Sequence, residues 1–366
     1  NEDYTQNDTV GKAGLEQYYE TYLRGKNGER KFYIDNVGRI SEIISSTDSV
    51  AGDDLYLSID ADLQMATYLA LQNEIAAIVY SNIKSGEIPI NDVYTALIGN
   101  SVINTEHFSK SKASDTEKSV LSVFKSRQKT TLGKIKQELT SSPEALNTMS
   151  DEVLDEFTYI ISMLKDDQVL LKNEIDTSDS VYQKWKNQKI SPKEYLSYCI
   201  TQHWIDISQL NVDEKYADST EVYDALCKYI LKNIKTDTEF SKIIYQYMIT
   251  RGEISPRQLC LILFDQGVLD YDDATVNKLK NGSLSPRDFL MKKIYNIEIT
   301  PAQLALEPCT GSCVVTDEKT GEIRAMVSYP GYNSNKLANG VDSEYFASLQ
   351  HDKSSPLLNY ATQQKT

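Results

Sequence analysis

Ile254-Ser255-Pro256 and Leu284-Ser285-Pro286 carry the pattern that decides the fold of this chain: an apolar residue, then a hydroxyl, then a proline. The hydroxyl can cap the first free amides of a helix. A proline in the first helical position lacks only an amide hydrogen that would have gone unpaired. The same grammar recurs at Ser142-Pro143, Ser191-Pro192 and Thr300-Pro301, with Ile190 and Ile299 before the last two. Each cap contributes about 1 kcal/mol. The starts are unevenly spaced, so they do not form a solenoid repeat of fixed period. They predict an irregular bundle of short helices over residues 73–308.

Outward from that zone the composition changes. Leu15, Tyr18, Tyr19, Tyr22 and Leu23 fall at i, i+3, i+4, i+7 and i+8, which predicts one helix over Gly14–Leu23 with an apolar stripe. Glu20 and Arg24 form an i,i+4 pair, and Gly25 stands where a helix stop belongs. Strands are expected at Lys31–Val37 and Arg39–Ser46. A third is expected at Leu55–Ile59, where Leu55, Leu57 and Ile59 alternate with Tyr56 and Ser58. Asp60 can cap the following helix, on which Tyr68, Leu71, Ile75, Ile78 and Val79 share a face. At the other end, Cys313–Thr316 and Ile323–Ser328 flank Asp317–Gly321 as a hairpin, and a short helix is expected at Asp342–Leu349. The fold class expected is α+β, predominantly α-helical.

At 366 residues the chain has room for two or three domains of roughly 150 residues. Its formal charge of −15 argues against nucleic acid or an anionic membrane surface as partner. The longest uncharged run, Val93–Thr105, is interrupted by Thr95, Asn100, Ser101 and Asn104, so no membrane span is expected. A signal or anchor is expected upstream of Asn1, because no leader pattern opens the chain. The 24 tyrosines against 8 phenylalanines predict many aromatics with a packed ring and a wet hydroxyl. The five cysteines are too few and too scattered for a disulfide scaffold, and a local Cys309–Cys313 bridge is left open.

Chemistry leaves little trace. His107, His203 and His351 are far apart and outside any metal-ligand spacing. His203 reads as a partly buried structural histidine on a helix face with Leu196, Cys199 and Ile200. Asp270, Asp272 and Asp273 lack the glycine and glutamate offsets of a calcium loop and read as helix caps. No glycine-rich phosphate loop is present, and no cofactor is expected. Ser-x-x-Lys occurs at Ser81/Lys84, Ser109/Lys112, Ser122/Lys125, Ser126/Lys129 and Ser162/Lys165, and Lys319-Thr320-Gly321 spells a second acylase motif. The third motif, Ser-x-Asn, does not occur. Lys319–Gly321 falls in a hairpin turn, so these matches are read as decoys.

Four segments carry a resemblance. They are Gly11-Lys-Ala-Gly14-Leu15-Glu16 with Leu23-Arg24-Gly25-Lys-Asn-Gly28, and Gly52-Asp-Asp-Leu55-Tyr-Leu57-Ser58-Ile59-Asp60 with Leu63-Gln64. The third is Gly311-Ser-Cys-Val314-Val315 with Lys319 to Pro330, and the fourth is Pro356–Ala361. In this order they resemble the pedestal (dimerisation) region and the first transpeptidase strands of class B penicillin-binding proteins, over roughly a third of the chain. Tyr360 stands where that family has an arginine.

The resemblance implies a partial pedestal at 1–72, a helical insertion at 73–308, and the start of a transpeptidase domain or a return to the pedestal at 309–366. The family's Ser-x-x-Lys would lie beyond Thr366, so no catalytic residue is carried over and the serine D,D-transpeptidase activity would belong to a longer parent. The implied work is extracytoplasmic: positioning that catalytic domain in peptidoglycan crosslinking and meeting the wall-synthesis machinery. Penicillin and stem peptide would be met only through the catalytic part. Glu16, Arg24, Gly25 and Asp60 are the candidate structural or interdomain residues, and a homodimer is allowed. The rival reading is a secreted helical adaptor, without enzymatic activity, that binds a protein partner through its tyrosine-rich bundle.

Overall fold

The computed structural model describes residues 4, 9–141, 144–212, 217–338 and 340–364. They divide into two compact units: the described residues up to Leu71 together with those from Ser312, and the stretch Gln72–Gly311. The chain is predominantly helical with two antiparallel two-stranded sheets, the α+β class expected.

The first unit opens with α1 (Gly14–Tyr18) and α2 (Glu20–Leu23), then β1 (Glu29–Ile34) and β2 (Ile40–Thr47). The single helix expected over Gly14–Leu23 is broken at Tyr19, whose φ of −100° and ψ of 15° leave the helical path. The Tyr18, Tyr19 and Tyr22 rings pack on one another, at 4.8 and 6.3 Å between centroids, instead of on a core. Leu15, Tyr18 and Tyr22 are exposed. β1 and β2 pair antiparallel from Glu29 opposite Thr47 to Ile34 opposite Ile40, and every residue of both strands is exposed. The strand expected at Leu55–Ile59 does not form a ladder: its link to the later strands at Ile323 runs through the Ser58 hydroxyl and not through paired backbone.

Helix α3 (Ala61–Ser85) carries the chain into the second unit. There follow α4 (Ile90–Gly99), α5 (Asp115–Thr140), α6 (Asp151–Asp166), α7 (Ser180–Lys186) and α8 (Pro192–Thr201). Next come α9 (Ser219–Ile234), α10 (Thr238–Thr250), α11 (Pro256–Asp265), α12 (Asp273–Asn281), α13 (Pro286–Tyr295) and α14 (Pro301–Leu304). Ser191, Ser255, Ser285 and Thr300 each accept the amide three residues on, so these starts are built as the sequence implies. Ser142-Pro143 lies outside the described residues. The uncharged run around α4 is core: Val93, Leu97, Ile98 and Ile103 are buried, and α4 packs on α10.

Polar links brace this bundle. Glu152 of α6, 4% exposed, accepts both Arg127 of α5 at 3.0 Å and Arg251 after α10 at 2.5 and 3.1 Å. Four tyrosine hydroxyls donate to aspartates: Tyr159 to Asp237 and Tyr247 to Asp155 at 2.7 Å, Tyr198 to Asp179 and Tyr229 to Asp167 at 2.9 Å. Three of the four tie α6 or its C-cap to α9 or to α10 and its N-cap, with the phenol ring as packing and the hydroxyl as tether. His203 departs from expectation. It is exposed at φ 58°, because α8 stops at Thr201 and the helical spacing no longer applies; Trp204 takes the buried place.

The chain returns to the first unit through β3 (Gly311–Thr316) and β4 (Ile323–Tyr329), then α15 (Ser343–His351) and α16 (Tyr360–Gln363). All five cysteines are free thiols.

Candidate functional site

The glycines of the first unit are positions where two backbones meet. Gly25 has φ +68°, and a Cβ there would lie 2.3 Å from the Val50 carbonyl oxygen. At Gly52 a Cβ would lie 1.9 Å from the Leu23 carbonyl oxygen. The close approach serves backbone bonding: the Lys26 amide donates to the Val50 carbonyl at 2.8 Å, the Val50 amide returns to Lys26 at 2.9 Å, and Asp53 donates to Tyr22 at 2.8 Å. The loop after α2 is thereby stitched to the chain after β2, which only hydrogen in place of a side chain permits.

Of the two charged candidates here, Glu16 is exposed on α1, and the Arg24 guanidinium lies 4.8 Å from the centroid of the Tyr4 ring. Glu20 makes the anchoring bond instead. Its Oε2 accepts the Gly11 amide at 2.7 Å, and its Oε1 takes the Tyr4 hydroxyl at 3.5 Å. Sequence reading placed Glu20 only as a helix-face partner of Arg24. The signal that could have found it is the glycine-rich run before it, whose open amides need an acceptor.

The second half of the site is the start of α3. Asp60 Oδ1 accepts the Leu63 amide at 3.0 Å as an N-cap, while its own amide donates to the Arg324 carbonyl of β4 at 2.9 Å. The Arg324 guanidinium stands 3.8 Å from the second carboxylate oxygen, an exposed pair worth a few tenths of a kcal/mol. Gln64 does more. Its amide nitrogen donates to the Met326 carbonyl and its amide oxygen accepts the Met326 N–H, both at 2.7 Å, so one side chain closes a stretch of the free edge of β4. Ser58 Oγ adds a bond to the Ile323 carbonyl at 2.8 Å, and the Tyr68 and Tyr329 rings pack 5.7 Å apart. Gln64 was part of a quoted motif, yet nothing in its spacing announced a bridge to a strand 262 residues away.

The last segment completes β4's surroundings. Ser328 Oγ donates to Asn359 at 3.3 Å and accepts the Ala361 amide at 3.2 Å, and the Tyr360 hydroxyl donates to the Ser354 carbonyl at 2.8 Å. Tyr360, at the arginine position of the family, thus makes a neutral bond to a neighbouring loop.

Lys319–Gly321 and two of the acylase-like serines, Ser109 and Ser162, serve local structure. Asp317 accepts the amides of Lys319 at 2.8 Å and Thr320 at 3.1 Å, and Gly321 at φ +76° finishes the turn between β3 and β4. Those backbone donors hold the Asp317 carboxyl below its usual range. Ser109 donates to the Glu106 carbonyl at 2.9 Å, and Ser162 to Asp166 at 3.5 Å. Among the described residues no cluster of His, Cys, Asp and Glu could hold a metal ion, and no helix is long and apolar enough to cross a membrane.

Comparison with known proteins agrees with this geometry. Residues 1–57 match the penicillin-binding protein dimerisation domain. Over 118 residues the chain is 35% identical to peptidoglycan D,D-transpeptidase FtsI of Escherichia coli K12, covering 32% of this chain and 19% of that protein. It is 32% identical over 87 residues to peptidoglycan D,D-transpeptidase MrdA of Salmonella typhimurium LT2, covering 24% and 14%. To penicillin-binding protein 3 of Bacillus subtilis 168 it is 38% identical over 84 residues, covering 23% and 12%. The chain spans about a fifth or less of the length of these relatives. No solved structure matches it. The chain carries a penicillin-binding protein dimerisation domain and is a relative of the class B peptidoglycan D,D-transpeptidases.

Proposed function

We propose that the first unit is a non-catalytic pedestal, and that the chain acts outside the cytoplasm in peptidoglycan synthesis by holding a transpeptidase domain in position. On this reading 1–72 and 309–366 are pedestal and transpeptidase start, and 73–308 is a helical insertion that meets other wall-synthesis proteins. The observation that carries it is the pairing of Gln64 with Met326 at 2.7 Å in both directions, beside the Asp60 amide on Arg324. Two segments that resemble consecutive family motifs, yet lie on either side of the helical unit, share one hydrogen-bonded edge.

The chemistry attached to such a scaffold is acylation of a serine by a D-Ala-D-Ala stem peptide and transfer to a neighbouring amine. The residues of this chain contribute geometry to it. Gly25 and Gly52 let the loops cross, Asp60 sets the first turn of α3, Gln64 fixes β4, and Glu16 lies exposed on α1.

Labelling with a fluorescent penicillin tests the division of labour. Residues 1–366 are expected to stay unlabelled, while a longer product of the same gene is labelled through a serine downstream. Covalent labelling of a serine within residues 1–366 overturns the proposal.

A further inference from the structure

An open groove of about 360 Å³ runs between the C-terminal part of α3 and α13, within the second unit. Tyr80 and Lys84 line it from α3, one turn apart. Arg287, Met291 and Tyr295 line it from α13 at the same four-residue interval, with Asp288 and Lys292 beside them. The floor is apolar: Met291 is buried, and the Tyr80 and Tyr295 rings meet edge-on at 5.2 Å. The rim is cationic. Lys84, Arg287 and Lys292 form no ion pair with any carboxylate among the described residues, although the chain carries 53 acidic side chains. Asp288, the one carboxylate of the lining, accepts the Ser285 hydroxyl at 2.7 Å.

Helix ends account for these cations one by one. Arg287 donates to the Ile83 carbonyl at 3.3 Å near the end of α3, where Lys84 also lies, and Lys292 is in the last turn of α13. They do not account for three cations against the single carboxylate of Asp288 around one depression. Mutual repulsion there costs free energy that one bound anion would relieve.

We propose that this groove is a docking site for an acidic peptide segment of a protein partner, with an apolar side chain over Met291 and flanking carboxylates on Lys84, Arg287 and Lys292. Two rows of side chains, each spanning one to two helical turns, frame a slot about 10 Å long, the length of three or four extended residues. A peptide suits the lining better than a glycan. Three cations against one carboxylate favour a ligand that carries several negative charges, and the thioether and tyrosine rings suit an aliphatic or aromatic side chain between them. The site lies wholly in the helical unit and does not depend on the pedestal assignment.

Fluorescence anisotropy on residues 1–366 tests it, using a fluorescein-labelled hexapeptide in which Asp and Glu flank a Leu-Phe pair, and its Asn/Gln counterpart. The acidic probe is expected to bind on the order of tenfold tighter than the amide probe. That advantage should disappear between about 50 mM and about 500 mM salt. It should also disappear in Lys84→Gln/Lys292→Gln, while far-UV circular dichroism and thermal unfolding stay as in the parent. Should the double variant fail to fold, Lys292→Gln alone is read for a loss of several-fold. Equal affinity for the two probes, or undiminished acidic-probe binding in the folded variant, overturns the proposal. So does binding of a carboxylated muramyl disaccharide where the peptide fails to bind.

Discussion

Glu156 sits one helical turn from Glu152 on α6, 2% exposed, with its Oε1 lacking any hydrogen-bond partner among the described residues. Glu152 beside it has claimed the nearby guanidinium groups of Arg127 and Arg251. Burial, and then the negative charge of Glu152, push the Glu156 carboxyl from 4.5 up to about 8. The folded chain therefore holds a proton that the unfolded chain releases between those two values. Folding stability from this group is fully present below 4.5, falls as pH rises, and has gone above about 8. Glu156→Gln keeps the shape and removes the titration. Urea unfolding at about pH 5 and about pH 8 should show wild type losing stability relative to Glu156→Gln as pH rises. A stability difference that does not change between the two pH values would mean the carboxylate finds compensation in the fold. Glu117 behaves oppositely with equal burial. Desolvation alone would raise it, but bonds from Gln266, the Ser114 amide and His107 outweigh that and hold it below its usual value.

Helix starts were readable because their determinants are local. The hydroxyl, the proline and the amide three residues on lie within one turn, so Ser191, Ser255, Ser285 and Thr300 behave in the fold as they do in isolation. The break at Tyr19 and the ladder-free Leu55–Ile59 were not readable, since periodicity reports which face could be buried and says nothing about whether a partner is there to bury it. The tyrosine excess announced half-wet rings, though not which aspartates they would find. The glycine motifs lie between these cases: their spacing was visible, whereas the carbonyls that forbid a side chain are contributed by a distant loop. That distinction can be measured. Gly52→Ala forces a Cβ to 1.9 Å from the Leu23 oxygen, while Gly38→Ala, at φ +82°, meets nothing within 4 Å. Gly38→Ala is expected to cost about 1 kcal/mol from its left-handed backbone alone. Gly52→Ala should cost about 2 kcal/mol or more and raise amide hydrogen exchange at Lys26 and Val50, whose reciprocal bonds depend on the close approach. Equal exchange at those amides in the two variants would show that the loops do not need the glycine.

The two units differ sharply in what they bury. The hydrophobic core of the second is one continuous cluster from Val79 to Leu304. In the first, Ala325, Val327, Tyr329, Pro330, Leu349 and Pro356 are the apolar side chains buried among the described residues, while Phe32, Ile34, Ile40, Ile43 and Ile44 of the β1–β2 ribbon face solvent. Buried apolar area is the main favourable term in folding, and a two-stranded ribbon alone is marginal in water. Stability in the first unit must therefore rest heavily on a few directed bonds, those of Gln64 to Met326 foremost. Calorimetry on residues 1–366 should resolve two transitions, with the first unit melting at the lower temperature. Gln64→Ala leaves both backbone groups of Met326 without their partner, a cost of about 1–3 kcal/mol, and should lower that first transition alone. Glu152→Ala removes the bonds that tie α6 to Arg127 of α5 and to Arg251 after α10, a cost of about 1–3 kcal/mol, and should lower the second alone. Mutations in separately cooperative bodies add without coupling, so the double variant should show both shifts unchanged. A single transition moved by either substitution would mean instead that the sparse unit borrows its stability from the helical one.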